Sequence, residues 1–442
     1  MTQFGELSLW IALLMAAWCT TLALQGALMR RPAFTESGVR GLCVSFVFTA
    51  FAGAALMTAF VFGDYAVRFV AMHSGLNNAL LERVSAFWSA GAGVWMLLSL
   101  LLAAAASVAA RGSMRREADR ALAAWTVATL GLAVFAALAV TAFKQNPFAL
   151  FPRVPTDGRG LDPVFRNPAM VIQPPLMLLG AACAVVSLAM AIARAIRLRG
   201  GGMFSGRPRT FAVASWGLLS AAFLIGAHWA YTSPGLQSRV QDTPMVIGSG
   251  VAWIVMTLFL IAAEVRDRRS PRSEAIAVRR RAGWVLAACG ALLCGVVIAA
   301  HSRWKNYDAQ IDDGSQYRAK DGWGHDWTFT SQGASRLERP GDDVTALALI
   351  PTRDGVRQPF LSSESRQYYG PGGLDIYPAQ TVPAIRRALA QDLFVVLSDA
   401  GDGHAVLRIS FRPLAELAWP AGVLLALGGL LFFWPPRTEN SA

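Results

Sequence analysis

Long apolar runs recur along the whole chain, and they constrain its fold more than any other feature of the sequence. A helix needs roughly 20 apolar residues to cross a bilayer. Hydrophobic residues make up 54% of the 442 residues and charged residues only 15%, a composition typical of membrane proteins. The sequence predicts about nine transmembrane helices, at Leu7–Met29, Gly41–Gly63, Ala86–Ala110, Ala121–Phe143, Val171–Ile196, Phe211–Trp229, Met245–Ala263, Gly283–Ala300 and Leu417–Trp434.

Arginine is concentrated in every second connection between these spans, namely those after the first, third, fifth and seventh. Short cytoplasmic loops carry an excess of arginine and lysine, so this alternation predicts an outer amino end and a cytoplasmic carboxyl end. The net charge of +12 is then explained by membrane orientation rather than by nucleic-acid binding. The first run lacks a basic leader and a cleavage site, which predicts a retained helix instead of a removed signal peptide.

One long polar stretch, 302–412, separates the eighth span from the ninth and is predicted to be a small β-rich extracytoplasmic domain. The chain would then consist of a membrane bundle (1–301), this domain, and a last helix with a cytoplasmic tail (413–442). A short helix is predicted at Pro383–Gln391, with the proline in its first turn. Strands are predicted where β-branched and aromatic residues cluster between turns, at Trp327–Thr330, Val344–Ile350, Leu393–Ser398 and Ala405–Phe411.

Three loops of the bundle are predicted on the outer face, at 64–85, 146–170 and 230–244. The second is rich in proline and glycine, which favours an ordered irregular loop. Its acidic side chains, Asp157 beside Gly158 and Asp162 beside Pro163, are of the type that caps turns. The loop leads into Gln173, Pro174 and Pro175, which we predict to lie in the first turn of the next helix.

This proline-rich stretch, NPF…PRVPTDGRGLDP…NPAM..QPP, resembles a loop of the large membrane subunit of the bacterial cytochrome c haem lyase, the CcmF type of the cytochrome c assembly family. Gln173 stands where that family places a histidine. The resemblance extends to Asp64–Ser74 and Trp88–Val94, to Asp392–Leu397 and to the last helix. In the outer domain it rests on Glu364, Arg366 and Tyr368, of which the first two are predicted to form an ion pair. Full-length family members have further helices between the two matching parts.

The resemblance implies a membrane component of cytochrome c maturation, haem lyase-like, which presents haem and/or apocytochrome on the outer face of the bacterial inner membrane. Other maturation proteins or another integral-membrane subunit would be its partners. It also implies cytochrome c synthetase activity, but the enzyme class is left open because the family's histidines and tryptophan-rich outer loop are largely missing. Only the tryptophan–alanine–tyrosine core of that loop (Trp229–Tyr231) and Gly235 remain.

Five histidines occur in the chain. Three of them, His73, His228 and His301, fall near the ends of predicted spans that face the outer side of the membrane. Because imidazole is a common axial ligand of haem iron, these three are the candidate haem-binding residues, together with Trp229 and Tyr231. The alternative is that they are interfacial histidines bonded to loops or water. No catalytic set and no metal-binding spacing is found, and the five cysteines all lie inside apolar runs.

A second function remains open from the sequence. The missing histidines and tryptophans also fit a haem-free degenerate relative, which would serve as a structural or assembly subunit of a larger membrane complex. A transporter is a more distant alternative, because the predicted spans contain few charged residues. Haem and apocytochrome would co-purify with the first kind of protein, and a stable membrane partner without haem would co-purify with the second.

Overall fold

The computed structural model describes residues 2–115, 117–198, 206–233, 244–267, 274–339, 342–369, 377–401 and 403–435. Most of the predicted loop 230–244, including Gly235, lies outside the described residues, as does the predicted tail beyond residue 435. Nine of the described helices are long and apolar enough to cross a membrane, and each matches one predicted span. They are α1 (Thr2–Met29), α2 (Pro32–Phe62), α5 (Gly91–Arg115), α6 (Glu117–Ala139), α7 (Pro168–Leu198), α8 (Arg207–Thr232), α9 (Pro244–Asp267), α10 (Glu274–His301) and α11 (Ala418–Phe433).

Two short helices, α3 (Arg68–His73) and α4 (Leu80–Ala86), lie in the connection between α2 and α5. The third span therefore begins at Gly91, later than predicted, because residues 80–86 form a separate helix. A π-helical turn, Val140–Lys144, extends α6, and a 3-10 turn, Pro163–Phe165, lies in the proline-rich loop.

Helix α7 begins at Pro168, so Pro174 and Pro175 lie inside it and the prediction that they occupy its first turn is wrong. The reason is the residue before Pro168. The side chain of Asn167 accepts a hydrogen bond from the Ala169 N–H at 2.9 Å, as an N-cap residue does, and a proline follows it at the first helical position.

The core of the bundle is formed by α1, α2, α5, α6 and α7. Its largest fully buried side chains include Leu56, Phe60, Met96 and Leu130. A second apolar cluster joins α7, α8, α9 and the end of α11. Helix α10 packs closely along α11 because both carry glycines at the contact: a Cβ added to Gly283 would lie only 2.8 Å from the Gly428 carbonyl oxygen.

Between α10 and α11 the chain forms a β-sandwich. One sheet has the order β1-β10-β9-β8 and the other β2-β3-β4-β6-β7, with β5 paired to β4. Apolar side chains from both sheets, such as Phe329, Leu347, Val395 and Phe411, meet in the core. The strands are β1 (Lys305–Asp312), β2 (Gln316–Lys320), β3 (Asp326–Arg339), β4 (Asp342–Arg353), β5 (Val356–Arg357), β6 (Leu361–Tyr368), β7 (Gln380–Val382), β8 (Ala384–Arg386), β9 (Gln391–Gly401) and β10 (His404–Pro413).

All four predicted strand segments fall inside β3, β4, β9 and β10, and β9 and β10 pair as an antiparallel hairpin. The short helix predicted at Pro383–Gln391 is wrong. Residues 384–386 form β8, which pairs with β9 through Ala384 opposite Val395. Because β7 pairs with β6 of the other sheet, the chain passes from one sheet to the other at Pro383. The backbone N–H and C=O groups of residues 380–386 bond to the neighbouring strands β6 and β9, whereas in a helix they would bond to each other.

Candidate functional site

Two loops at one end of the bundle, 64–79 and 146–167, pack against each other, and we refer to them as the paired loops. An isolated β-bridge joins Val67 to Leu150. The inter-loop hydrogen bonds run from Arg68 N–H to the Ala149 carbonyl (2.8 Å), from Phe151 N–H to Ala66 (3.0 Å), from Arg159 N–H to Ala71 (2.7 Å) and from Gly160 N–H to Ser74 (3.0 Å). The paired loops are thus one hydrogen-bonded unit of irregular backbone.

The acidic residues of the proline-rich loop build this unit. The Asp157 carboxylate accepts hydrogen bonds from the N–H groups of Leu76 (2.8 Å) and Gly158 (2.6 Å). The Asp162 carboxylate accepts the Val164 N–H at 3.1 Å and caps the 3-10 turn that begins at Pro163. The Asp162 contact is of the turn-capping type predicted from the sequence, whereas Asp157 bonds across the two loops to Leu76.

Gly158 is required by the close approach of the two loops. A Cβ at this position would lie 1.9 Å from the Ser74 carbonyl oxygen and 2.9 Å from Cε1 of Tyr65. No side chain fits there without separating the loops, so the glycine sets their spacing.

The Gln173–Pro174–Pro175 segment lies where α7 packs against the paired loops and α8. Pro174 has no N–H to donate to the Met170 carbonyl one turn earlier. The Trp88 indole N–H donates to that carbonyl instead, at 2.8 Å. Gln173 packs against Gly226 of α8, where an added Cβ would lie 3.2 Å from Nε2 of Gln173. The proline thus frees an acceptor that ties α7 to the chain entering α5.

The end of α8 points side chains in two directions. Trp229 is buried against Met170, and its ring centroid lies 6.3 Å from that of Phe165 in the paired loops. Tyr231 instead reaches the β-sandwich, where its hydroxyl donates to the fully buried Asp392 carboxylate at 2.6 Å. The surviving tryptophan–alanine–tyrosine core therefore connects the bundle to both the paired loops and the β-sandwich.

An aromatic cluster surrounds Arg412 where α8, α10 and α11 meet the sandwich. Its guanidinium carbon lies 4.2 Å from the Phe394 ring centroid, 4.9 Å from that of Tyr231 and 5.5 Å from that of Trp304. Cation–π attraction favours such an arrangement. The cluster also includes His228, whose ring lies 5.0 Å from Trp419, and His301, whose ring lies 4.4 Å from Trp304.

His73 lies apart from this cluster, in α3. Its Nδ1 is 3.0 Å from the Phe69 carbonyl oxygen, and its ring packs 4.8 Å from the Phe69 ring. Burial is the main cause that lowers the pKa of His73, which favours the neutral imidazole. The contacts of the three outer-edge histidines are thus with three different aromatic residues. Their assignment as haem ligands stays a prediction.

A cleft of about 560 Å³ lies between the paired loops and the β-sandwich. We call it the arginine–tyrosine cleft. Arg159 and Arg166 line its loop side, and Thr232 and Ser233 contribute from the end of α8. The sandwich side carries Arg366 together with Tyr368, Tyr369, Tyr377, Gln380 and Val382. It therefore unites a predicted outer loop with the predicted outer-domain residues Arg366 and Tyr368.

Contacts across the cleft fix its two walls. The Tyr377 hydroxyl donates to the Gly160 carbonyl at 2.9 Å. The Arg159 and Arg166 guanidiniums lie 5.8 Å and 5.4 Å from the ring centroids of Tyr377 and Tyr368, respectively. On the sandwich side, Arg366 forms the predicted ion pair with Glu364, at 2.6 Å.

Sequence reasoning missed Arg159, Arg166 and Tyr377. A signal for the two arginines was present, because they lie in a loop predicted to face outward, against the usual bias of arginine towards the cytoplasm. Tyr377 gave no signal, since only the folded chain brings it beside residue 160.

The opposite end of the bundle holds a buried ion cluster that the sequence analysis also missed. Glu264 of α9 accepts hydrogen bonds from Arg209 of α8 at 3.1 Å and from Arg280 of α10 at 2.6 Å. The three residues are 3–7% exposed. Arg209 also donates to the Phe433 carbonyl of α11 at 3.3 Å. Four helices are therefore joined by one carboxylate and its two cations, which we call the Glu264 cluster.

Comparison with known proteins identifies what the chain is similar to. No protein-family model matches it. It is 28% identical over 261 residues to the cytochrome c-type biogenesis protein CcmF of Escherichia coli, covering 58% of this chain and 40% of that protein. It is 26% identical over 306 residues to the CcmF of Pseudomonas aeruginosa, covering 68% and 46%. The chain thus spans less than half the length of these curated relatives.

The fold has a solved counterpart. A structure described as the cytochrome c haem lyase CcmF superposes with a TM-score of 0.74 at 17% identity, covering 98% of both chains. The fold defines a structural class, a bundle of long apolar helices with a β-sandwich before its last helix, and the chain shares it with that solved haem lyase. Within that class the resemblance drawn from the proline-rich loop is confirmed. The chain is similar in sequence to CcmF-type proteins and has the fold of the solved haem lyase.

Proposed function

We propose that this protein is a membrane component of cytochrome c maturation, haem lyase-like, which presents haem and/or apocytochrome on the outer face of the bacterial inner membrane. The observation that carries the proposal is the end-to-end likeness of its fold to the solved CcmF, together with sequence similarity to several CcmF proteins. Its partners would be other cytochrome c maturation proteins.

The outer structures support this proposal. Thioether formation needs haem and a pair of cysteine thiols to be held together, which calls for a shaped surface rather than a flat one. The paired loops, the aromatic cluster and the sandwich form one continuous irregular face, tied together by Tyr231 and Tyr377. A rigid face of this kind can position two clients relative to each other.

The chemistry of the donor groups tests whether haem fits. The arginines and tyrosines of the cleft suit the carboxylates and the aromatic plane of a porphyrin. The side chains suit the haem iron less well than the porphyrin, since the candidate ligands His73, His228 and His301 each pack against a different aromatic ring. When bound, haem would supply the vinyl groups of the reaction, while this chain's residues would hold and orient it.

The alternative function, a haem-free subunit of another membrane complex, is not favoured by the comparisons. The relatives that match are named as cytochrome c biogenesis proteins, including CcmF and the probable NrfE of Escherichia coli. It remains the outcome against which the proposal is tested.

Co-purification tests the proposal directly. The tagged full-length protein is extracted in mild detergent from bacteria that make an apocytochrome with a CxxCH motif. We expect apocytochrome, haem or both to co-purify, as seen by immunoblot and by a Soret band. Gly158→Val, which forces the paired loops apart, should reduce this yield severalfold.

The matched control is Gly250→Ala on α9, where an added Cβ meets no atom within 4 Å. It should leave co-purification unchanged. Recovery of a stable integral-membrane partner with neither haem nor apocytochrome would contradict the proposal and support the alternative.

A further inference from the structure

The end of the bundle opposite the paired loops has a pocket of about 660 Å³, between the first residues of α2 and the last residues of α5. This volume falls in the range of small-molecule sites, roughly 300–1,000 Å³. We call it the arginine pocket, because Arg40 of α2 and Arg111 and Arg115 of α5 line it. The other described lining residues are Pro32, Thr35, Glu36, Val39 and Met114.

Two helix faces meet across this pocket. Arg111 and Arg115 are one turn apart and therefore lie on the same face of α5, with Arg40 of α2 opposite them. Just inside the bundle, the buried Ser107 hydroxyl donates to the Leu42 carbonyl at 3.4 Å and joins the two helices. The walls of the pocket are thus held by a contact that does not involve the arginines.

The charges of the three pocket arginines are not balanced. All three are exposed, and none forms a hydrogen bond or ion pair with another described residue. Arg207 at the same end differs, since its guanidinium donates to the carbonyls of Ala109 (3.0 Å) and Val108 (3.2 Å).

Glu36 offsets only one of the three positive charges in the pocket. Residues 116–120, which follow α5, include two arginines and two acidic residues and so add no net charge. Like charges one turn apart on a helix also repel each other. The arginine pocket therefore carries a net positive charge that a bound anion would neutralise.

The surroundings of the pocket indicate which anion fits. Guanidinium groups bind phosphate through paired hydrogen bonds, and basic pockets between membrane helices bind the headgroups of anionic lipids. Beyond Arg40, Val44 and Val47 continue the same face of α2 and are 38% and 43% exposed. Val108, three residues before Arg111, is 64% exposed. This apolar surface beside a basic pocket suits the acyl chains and the phosphate of one lipid.

We propose that the arginine pocket binds the phosphate of an anionic phospholipid through Arg40, Arg111 and Arg115. A zwitterionic lipid places a cation beside its phosphate, which the arginines repel, so the pocket selects headgroups by their net charge. The bound lipid bridges α2 and α5 and stabilises the folded protein by mass action. Because this site lies at the other end of the bundle, the inference does not rest on the proposed function.

Native mass spectrometry of the full-length protein, freed of lipid in detergent, tests the proposal. The probes are phosphatidylglycerol, which is anionic, phosphatidylcholine with the same acyl chains, and inorganic phosphate. We expect the first phosphatidylglycerol to bind on the order of tenfold more tightly than phosphatidylcholine. A large excess of inorganic phosphate should not displace it, because a free anion has no acyl chains to bury.

Variants of opposite sign localise the effect. Arg111→Gln and Arg115→Gln should each weaken binding of the first phosphatidylglycerol by about fivefold and leave phosphatidylcholine unchanged. Glu36→Gln should strengthen it by a similar factor, since it removes the acidic side chain among the described lining. Arg266→Gln is the matched control, because this exposed arginine of α9 lies at the same end outside the described lining, and it should have no effect.

The inference is overturned by any of three results. Equal binding of the two lipids would mean that they adsorb through their acyl chains alone. Equal loss in Arg266→Gln and in the pocket variants would indicate a general effect of charge. Displacement of phosphatidylglycerol by inorganic phosphate would assign the pocket to a soluble phosphate instead of a lipid. Circular dichroism of each variant verifies folding.

Discussion

The two parts of the membrane bundle are packed very differently. In the apolar stretches of α1, α2, α5, α6, α7 and α8, 39–67% of the residues are buried, against 28, 11 and 17% in α9, α10 and α11. Five helices of the first part share one apolar core, and α8 packs in a second apolar cluster with α7, α9 and the end of α11. The last three helices have less of their apolar surface buried. The Glu264 cluster joins them to α8 near one end, and the aromatic cluster lies where α10 and α11 meet the sandwich.

This difference shows where the chain depends on single residues. Burial spread over many apolar contacts tolerates the loss of one of them, whereas an ion cluster that joins four helices does not. The β-sandwich is likewise attached to the bundle through a few hydrogen bonds and cation–π contacts. Substitutions at these end contacts should therefore have larger effects than comparable changes at exposed apolar positions in the middle of α9–α11.

Glu264→Gln should have the largest effect. It leaves Arg209 and Arg280 buried without their counterion, and breaking a buried ion pair costs about 3–5 kcal/mol. Thermal unfolding in detergent measures the loss. Glu274→Gln, the same change at an exposed position of α10, is the control. If both variants unfold at the same temperature, the Glu264 cluster does not hold these helices together.

Gly158→Val should come next, with a loss of about 3 kcal/mol, at the upper end of overpacking costs, because a backbone carbonyl occupies the space of the new side chain. Hydrogen–deuterium exchange should rise at Arg159 and Gly160, whose N–H groups bond to the facing loop. Gly250→Ala, in open surroundings on α9, should leave exchange in the paired loops unchanged. Unaltered exchange in Gly158→Val would show that the hydrogen bonds between the two loops do not depend on their close approach at residue 158.

Tyr231→Phe should have an intermediate effect. It leaves the buried Asp392 carboxylate with one donor fewer, and hydrogen bonds to charged groups contribute about 1.5–3 kcal/mol. Because the aromatic ring is retained, the loss should loosen the sandwich from α8 without unfolding either, which limited proteolysis can detect. Tyr307→Phe removes an exposed hydroxyl that bonds to the Lys320 carbonyl and should change little. Equal proteolysis of the two variants would contradict a tethering role for Tyr231.

The smallest effect is a dependence on pH within the sandwich. Burial alone would raise the pKa of Asp321, but hydrogen bonds from the Trp327 indole, two backbone N–H groups and Gln391 outweigh it, and the pKa is lowered. A lowered carboxyl pKa stabilises the fold above the ordinary value of about 3.8, and this stability is lost as the pH falls through the folded-state pKa.

Tryptophan fluorescence on acid titration should report this loss, and Asp321→Asn should weaken the dependence on pH. Asp326→Asn, at an exposed carboxylate that pairs with Lys320 at 3.5 Å, serves as control. An acid transition that is the same in both variants and in the wild type would exclude Asp321 as its cause.

The sequence by itself determined the number and approximate position of the apolar helices, four strands of the β-sandwich and the Glu364–Arg366 pair. These depend on local composition and on contacts between residues two positions apart along one strand. The sequence also indicated that Asp162 caps a turn, because a short acidic side chain bonds to backbone groups close to it along the chain. It did not indicate that Asp157 bonds to Leu76, 81 residues away.

Only the tertiary structure decided which distant residues meet. Glu264 finds two arginines 55 and 16 residues away, and Tyr377 reaches the carbonyl of Gly160 across 217 residues. The prediction for Pro383–Gln391 failed for the same reason, since pairing with β9 outweighed a local preference for a helix. Hydrophobicity is read from each segment alone, whereas a cleft or an ion cluster exists only where folding brings separate segments into contact.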